Sequence, residues 1–115
     1  MRSFEKSNEM TLLLDFYGDL LSERRKAIVS AYYEADLSLS EVAEQMGITR
    51  QGVRDSLQKS EQQLRFYEEK LGLVARFDES NRCLEKLIAR LEAQGRAEDL
   101  PLIAEARQVL TANES

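Results

Sequence analysis

Between Ser38 and Leu57 the chain reads Ser-Leu-Ser-Glu-Val-Ala-Glu-Gln-Met-Gly-Ile-Thr-Arg-Gln-Gly-Val-Arg-Asp-Ser-Leu, a run that few folds accommodate. Ser38 and Glu41 have the three-residue spacing of a capping box, in which each side chain satisfies a backbone N–H of the other at a helix start. Val42, Ala43 and Met46 then fall on one face of a short helix. Ala43 is small enough for a second helix to cross closely. Gly47 supplies the positive φ that reverses the chain, at a place where a Cβ is expected to clash. Ile48 plugs the corner, Thr49 caps the next helix, and Val53 and Leu57 return to the same core. A helical hairpin that merely packs would satisfy part of this pattern. Capping box, small residue, glycine, cap and buried valine together predict a helix-turn-helix.

The rest of the chain points to an all-α fold. One proline and five glycines in 115 residues leave helix favourable almost everywhere, and 43% hydrophobic residues suffice for a core. Six helical segments are expected. The first runs from about Asn8 to Leu21 with a stripe of Leu12, Leu13, Phe16, Tyr17, Leu20 and Leu21. Gly18 in its interior marks either a tolerated surface glycine or the close approach of a neighbouring helix. The second starts at the N-cap Ser22 and reaches about Asp36, with Ala27, Ile28, Ala31, Tyr32 and Ala35 facing inward. The fourth extends from Thr49 to Leu71, where Gly72 stops it. Its Leu57, Leu64 and Leu71 repeat every seven residues, a seam interrupted by Ser60 and suited to a partner helix. A fifth helix spans about Asp78 to Gln94, stopped by Gly95, with Leu84, Leu87, Ile88 and Leu91 on one face. A sixth opens near Asp99, with Pro101 tolerated in its first turn and Leu102, Ile103, Ala106, Val109 and Leu110 as its stripe. The expected organisation is a helix-turn-helix domain with an extended recognition helix over residues 1–75, followed by a C-terminal helical pair over 76–115.

In a helix-turn-helix the second helix enters a major groove and its first turns meet base edges. Thr49, Arg50, Gln51 and Arg54 are the candidates here. Arginine can contact guanine, and glutamine adenine, in bidentate fashion. Lys59 and Arg65 lie further along, placed for phosphates. Residues 49–65 carry four cations against Asp55 and Glu61, so this helix is mildly basic although the chain carries −5. Arg24, Arg25 and Lys26 crowd the first turn of the second helix, the end of the dipole that disfavours cations. Solvated surface charge and a phosphate-facing patch both account for them. The acidic balance means that any nucleic-acid contact must come from such local patches.

Other functions find little support. There is no histidine for acid–base work near neutral pH, no glycine-rich phosphate loop, and one cysteine cannot build a zinc site. An enzyme is not expected, nor a cofactor or metal. Cys83, beside Leu84, is expected at the core or its boundary. Without a second cysteine, a signal-like leader or a long apolar run, a soluble cytoplasmic protein with no membrane insertion is expected. Readers of this class commonly pair, and the leucine seam with the C-terminal stripes offers surface for a homodimer.

The stretch Ser38–Leu64 resembles region 4 of bacterial sigma factors, which implies a sigma-like transcriptional regulator. A longer resemblance runs over about residues 8–75. Phe16-Tyr17-Gly18-Asp19-Leu20-Leu21, the segment Tyr32 to Glu44, Arg50-Gln51-Gly52-Val53 and Glu61…Leu64…Tyr67-Glu68-Glu69-Lys70-Leu71 resemble the YlxM family of small bacterial helix-turn-helix proteins. Arg54 departs from that pattern, where an aromatic residue is expected. The resemblance implies a regulator linked to the signal recognition particle pathway, contacting its RNA or its GTPase. Three readings follow: a nucleic-acid-binding regulator on DNA or structured RNA, a protein-interaction adaptor that keeps the fold without reading sequence, and a sigma-like transcriptional regulator.

Overall fold

A computed structural model describes residues 8–113, which form six α-helices and two short 3-10 turns, with no strand among them. The helices are α1 (Asn8–Tyr17), α2 (Glu23–Tyr33), α3 (Leu39–Met46), α4 (Arg50–Leu71), α5 (Leu73–Gln94) and α6 (Leu100–Asn113). The chain divides between Val74 and Ala75 into two compact units.

The first unit packs α1, α2 and α3 around the N-terminal two-thirds of α4. Its core joins Leu13, Leu14 and Tyr17 of α1 to Ile28, Val29 and Tyr33 of α2, Val42 and Ala43 of α3, and Val53, Leu57 and Leu64 of α4. Four sequence expectations change here. The first helix stops at Tyr17, and Gly18–Leu20 form a 3-10 turn, so Gly18 is not a helix-interior residue. Gly18 is buried rather than a surface glycine, and a Cβ there would meet Leu14 Cδ1 at 3.0 Å, so the crowding comes from α1 itself and not, as the other expectation had it, from a neighbouring helix. The turn leaves Leu20 half-exposed and turns Phe16 outward, while Met10 and Leu14 take their places in the core.

The inner face of α2 is rotated by about one residue from expectation, to Ile28, Val29 and Tyr33, with Ala27 exposed. Alanines bury too little area to fix a helix's rotation, and the branched Val29 and the larger Tyr33 win. Tyr33 also finds a partner for its hydroxyl, which donates to Glu61 Oε2 at 3.4 Å. Burial, and then the Glu61 carboxylate beside it, push the Tyr33 phenol well above its ordinary range. The expected seam on α4 is not free either. Leu57 and Leu64 are 1% and 0% exposed inside the unit's own core, and only Leu71 is open, at 45%.

The fourth change concerns where α5 starts. It begins at Leu73, directly after the left-handed Gly72, rather than near Asp78. A helix start leaves backbone N–H groups without helical acceptors. Here no residue just before α5 caps it. The Tyr17 hydroxyl accepts from Leu73 N at 3.1 Å and donates to Glu68 Oε1 at 2.6 Å, and the same carboxylate oxygen accepts from Val74 N at 3.0 Å. Side chains from α1 and α4 thus cap the first turn of α5.

In the second unit Ile88 of α5 and Ile103 of α6 are the buried hydrophobic side chains among the described residues, and polar contacts tie the two helices. Asn113 Nδ2 donates to Asn81 Oδ1 at 2.8 Å, and Arg107 clamps Glu92 at 2.6 and 3.2 Å. Asp99 lies in the 3-10 turn before α6, where its carboxylate accepts from Arg96 Nε at 2.9 Å. Leu87, Leu102 and Val109, expected on the packed stripes, are about half-exposed, and Cys83 is exposed rather than at a core boundary. No helix of the described residues is long and apolar enough to cross a membrane.

Candidate nucleic-acid interface

The two helices of the motif are built as their residues dictate. Ser38 and Glu41 close the capping box: Glu41 N donates to Ser38 Oγ at 3.1 Å and Ser38 N to Glu41 Oε1 at 2.8 Å. Gly47 ends α3 at φ +70°, and Ile48 N reaches back to the Ala43 carbonyl at 3.0 Å. A Cβ on Gly47 would have no atom within 4 Å. The glycine is needed for its backbone conformation and not, as expected, to avoid a clash. Thr49 caps α4, its hydroxyl accepting from Gly52 N at 2.9 Å. With Val53 and Leu57 anchored in the core, the opposite face of α4 is left to solvent.

Two depressions flank that face at the start of α4. Thr49, Arg50, Gln51 and Arg54 line the first. Arg24 and Arg25, from the start of α2, line the second together with Ser22, Gly52, Asp55, Ser56 and Lys59. The structure therefore brings Thr49, Arg50, Gln51 and Arg54 together in one depression and Arg24, Arg25 and Lys59 together in the other. Lys26 stands apart. It is ion-paired with Asp19, and this contact raises the lysine pKa and lowers that of the aspartate. Arg65, placed by sequence toward phosphates, is drawn to Glu9 at 3.1 Å and Glu61 at 3.5 Å, tying α1 to α4.

The remaining cations are held differently. Arg25 Nη1 donates to Gln63 Oε1 at 3.2 Å, which fixes the guanidinium while leaving its charge without a carboxylate. Among the described residues, Arg24, Arg50, Arg54 and Lys59 make no ion pair. Five exposed or half-exposed cations thus line the two depressions along the start of α4. Sequence reading missed Asp55 as a member of this face. Its carboxylate accepts from Gln51 Nε2 at 3.0 Å, and the four-residue spacing on one helix was the available signal.

Comparison with known proteins agrees with this geometry. Residues 4–103 match the family described as "Putative helix-turn-helix protein, YlxM / p13 like". The chain belongs to this family, UPF0122. It is 48% identical over 92 residues to a UPF0122 protein of Desulforamulus reducens, covering 80% of this chain and 76% of that one. A UPF0122 protein of Listeria monocytogenes serotype 4b is 46% identical over 91 residues, 79% of each chain. One from Halalkalibacterium halodurans is 37% identical over 106 residues, 92% of this chain and 97% of its own. Helix-turn-helix proteins are not a class of enzyme, and the UPF0122 match ends in the first turn of α6.

Proposed function

We propose that this UPF0122 protein is a nucleic-acid-binding regulator that lays the start of α4 in a duplex groove. Arg50, Gln51 and Arg54 meet base edges, while Arg24, Arg25 and Lys59 hold the phosphates of the flanking strand. The observation that carries this reading is the gathering of Arg24 and Arg25 with Lys59 beside the recognition residues, although some thirty residues separate them in sequence. A B-form major groove admits a helix, whereas the major groove of A-form RNA is too narrow for side chains to read. Duplex DNA is therefore the first target, and a structured RNA the second. The YlxM resemblance supports action in the signal recognition particle pathway, with its RNA or GTPase as partner.

Filter binding to duplex DNA across salt concentrations tests this. Each phosphate-contacting cation replaced by alanine lowers the salt slope by about one. Arg24→Ala, Arg25→Ala and Lys59→Ala should each do so, and Lys26→Ala should not. Affinity without a negative salt slope, or affinity that survives replacing both Arg50 and Arg54 by alanine, would sink the reading. Recovering the protein from its own cell then separates targeting from transcription, according to whether signal recognition particle RNA and GTPase or promoter DNA accompany it.

A second reading, the protein-interaction adaptor, is favoured by one observation. Leu87, Leu100, Leu102 and Val109 of the second unit are all about half-exposed or more. Apolar groups of that size on so small a unit suit a protein partner, a second copy included. A homodimer would use this surface, since Leu57 and Leu64 are already buried. A clean 13.2 kDa species in sedimentation equilibrium at micromolar concentration would count against it.

A further inference from the structure

Asp55 is an anomaly on a face assembled for anions. It is the one carboxylate lining either depression, it is exposed, and it forms no ion pair with Arg24, Arg25 or Lys59. A phosphate seated among those three cations would meet its charge. Its recorded bond is to Gln51, across the boundary between the two depressions. That bond has a chemical consequence. A carboxylate only accepts, so the Gln51 side chain must turn its NH2 group toward Asp55 and its carbonyl oxygen away. One amide N–H and the carbonyl oxygen remain, the pair that matches N7 and the exocyclic amine of adenine.

We infer that Asp55 is the specificity-determining residue of this interface. It positions Gln51 to read adenine, and its charge weakens the grip on phosphates where the correct base is absent. This rests on the nucleic-acid reading above and goes beyond it by naming the base and the residue that enforces the choice. The bland account is a helix-stabilising pair four residues apart, which would leave discrimination untouched.

The experiment starts from a randomised 16-base-pair duplex DNA pool, selected by binding to the full-length protein. Affinities are then measured for the enriched duplex and a scrambled one. The wild type should enrich an adenine at one position, and Gln51→Ala should lose that preference. Asp55→Ala should bind scrambled duplex about fivefold more tightly, the scale of one surface charge. Its ratio of enriched to scrambled affinity should fall about tenfold, the scale of one bidentate base contact. Asp55→Asn keeps an acceptor for Gln51 but removes the charge, so it should tighten scrambled binding while holding more of the adenine preference than Asp55→Ala. Circular dichroism establishes that each variant is helical. Should Asp55→Ala discriminate as well as wild type, this inference is overturned and the nucleic-acid reading stands. Should the wild type bind no duplex DNA, this inference falls, and should it bind no structured RNA either, the nucleic-acid reading falls with it.

Discussion

Ser60 lies 0% exposed in the middle of α4, with a hydroxyl oxygen that finds no hydrogen-bond partner among the described residues. A buried polar atom left unpaired carries a desolvation cost of about 1–3 kcal/mol. Ser60→Ala should therefore be neutral or stabilise by up to about 1 kcal/mol, since alanine is also the better helix former, as urea unfolding would report. Tyr33 makes the opposite case for a polar atom. Its folded-state pKa is raised, so its contribution to stability is intact below the unfolded value of about 10 and fades as pH rises above it. The Tyr33→Phe variant removes that titration, and its alkaline unfolding midpoint should lie above that of the wild type. At Gly47 the cost of substitution is conformational. Alanine at φ +70° should destabilise by about 1 kcal/mol in thermal melts even though space is available.

At the scale of elements, the sequence was legible wherever the cause of structure is local. The capping box, the left-handed glycines and the Thr49 cap each act within a few residues, and α3 and α4 begin and end where those signals stand. The readings that changed depend on distant partners. The inner face of α2 is selected by what Val29 and Tyr33 meet on other helices, while adjacent apolar residues offered two rotations with similar periodicity. The start of α5 is capped by Tyr17, 56 residues before Leu73, so no motif near residue 72 announces it. Arg24 and Arg25 left two readings, solvated charge and phosphate-facing patch, because the sequence alone does not place them beside Lys59 of α4. Asp55 was missed because a single carboxylate on a basic helix draws attention only once its neighbours are placed. The cap itself is testable. Tyr17→Phe leaves Leu73 N and Glu68 each short of a partner and should destabilise by about 1–3 kcal/mol. Amide exchange should quicken first at Leu73 and Val74. Uniform loss of protection along α4 and α5 would mean that the ring's packing, rather than the hydroxyl, holds the junction.

At the scale of the whole molecule, charge is segregated. The chain carries −5, yet Arg24, Arg25, Arg50, Arg54 and Lys59 against Asp55 give its candidate interface +4, which leaves −9 on everything else. That division bears on the path of encounter as well as on the final contact. On the proposed reading a polyanion would be repelled by the net negative charge and drawn to the cations of α2 and α4, so encounters led by α4 would persist longest. The association rate constant should therefore fall with added salt more steeply than that of a neutral protein of this size. Reversing two glutamates of the second unit, such as Glu85 and Glu98, to lysine should raise association with random duplex while lowering the fraction of encounters that become specific. On that reading the acidic remainder of the chain would act as a rudder for the basic residues, governing how often an approach begins the right way round.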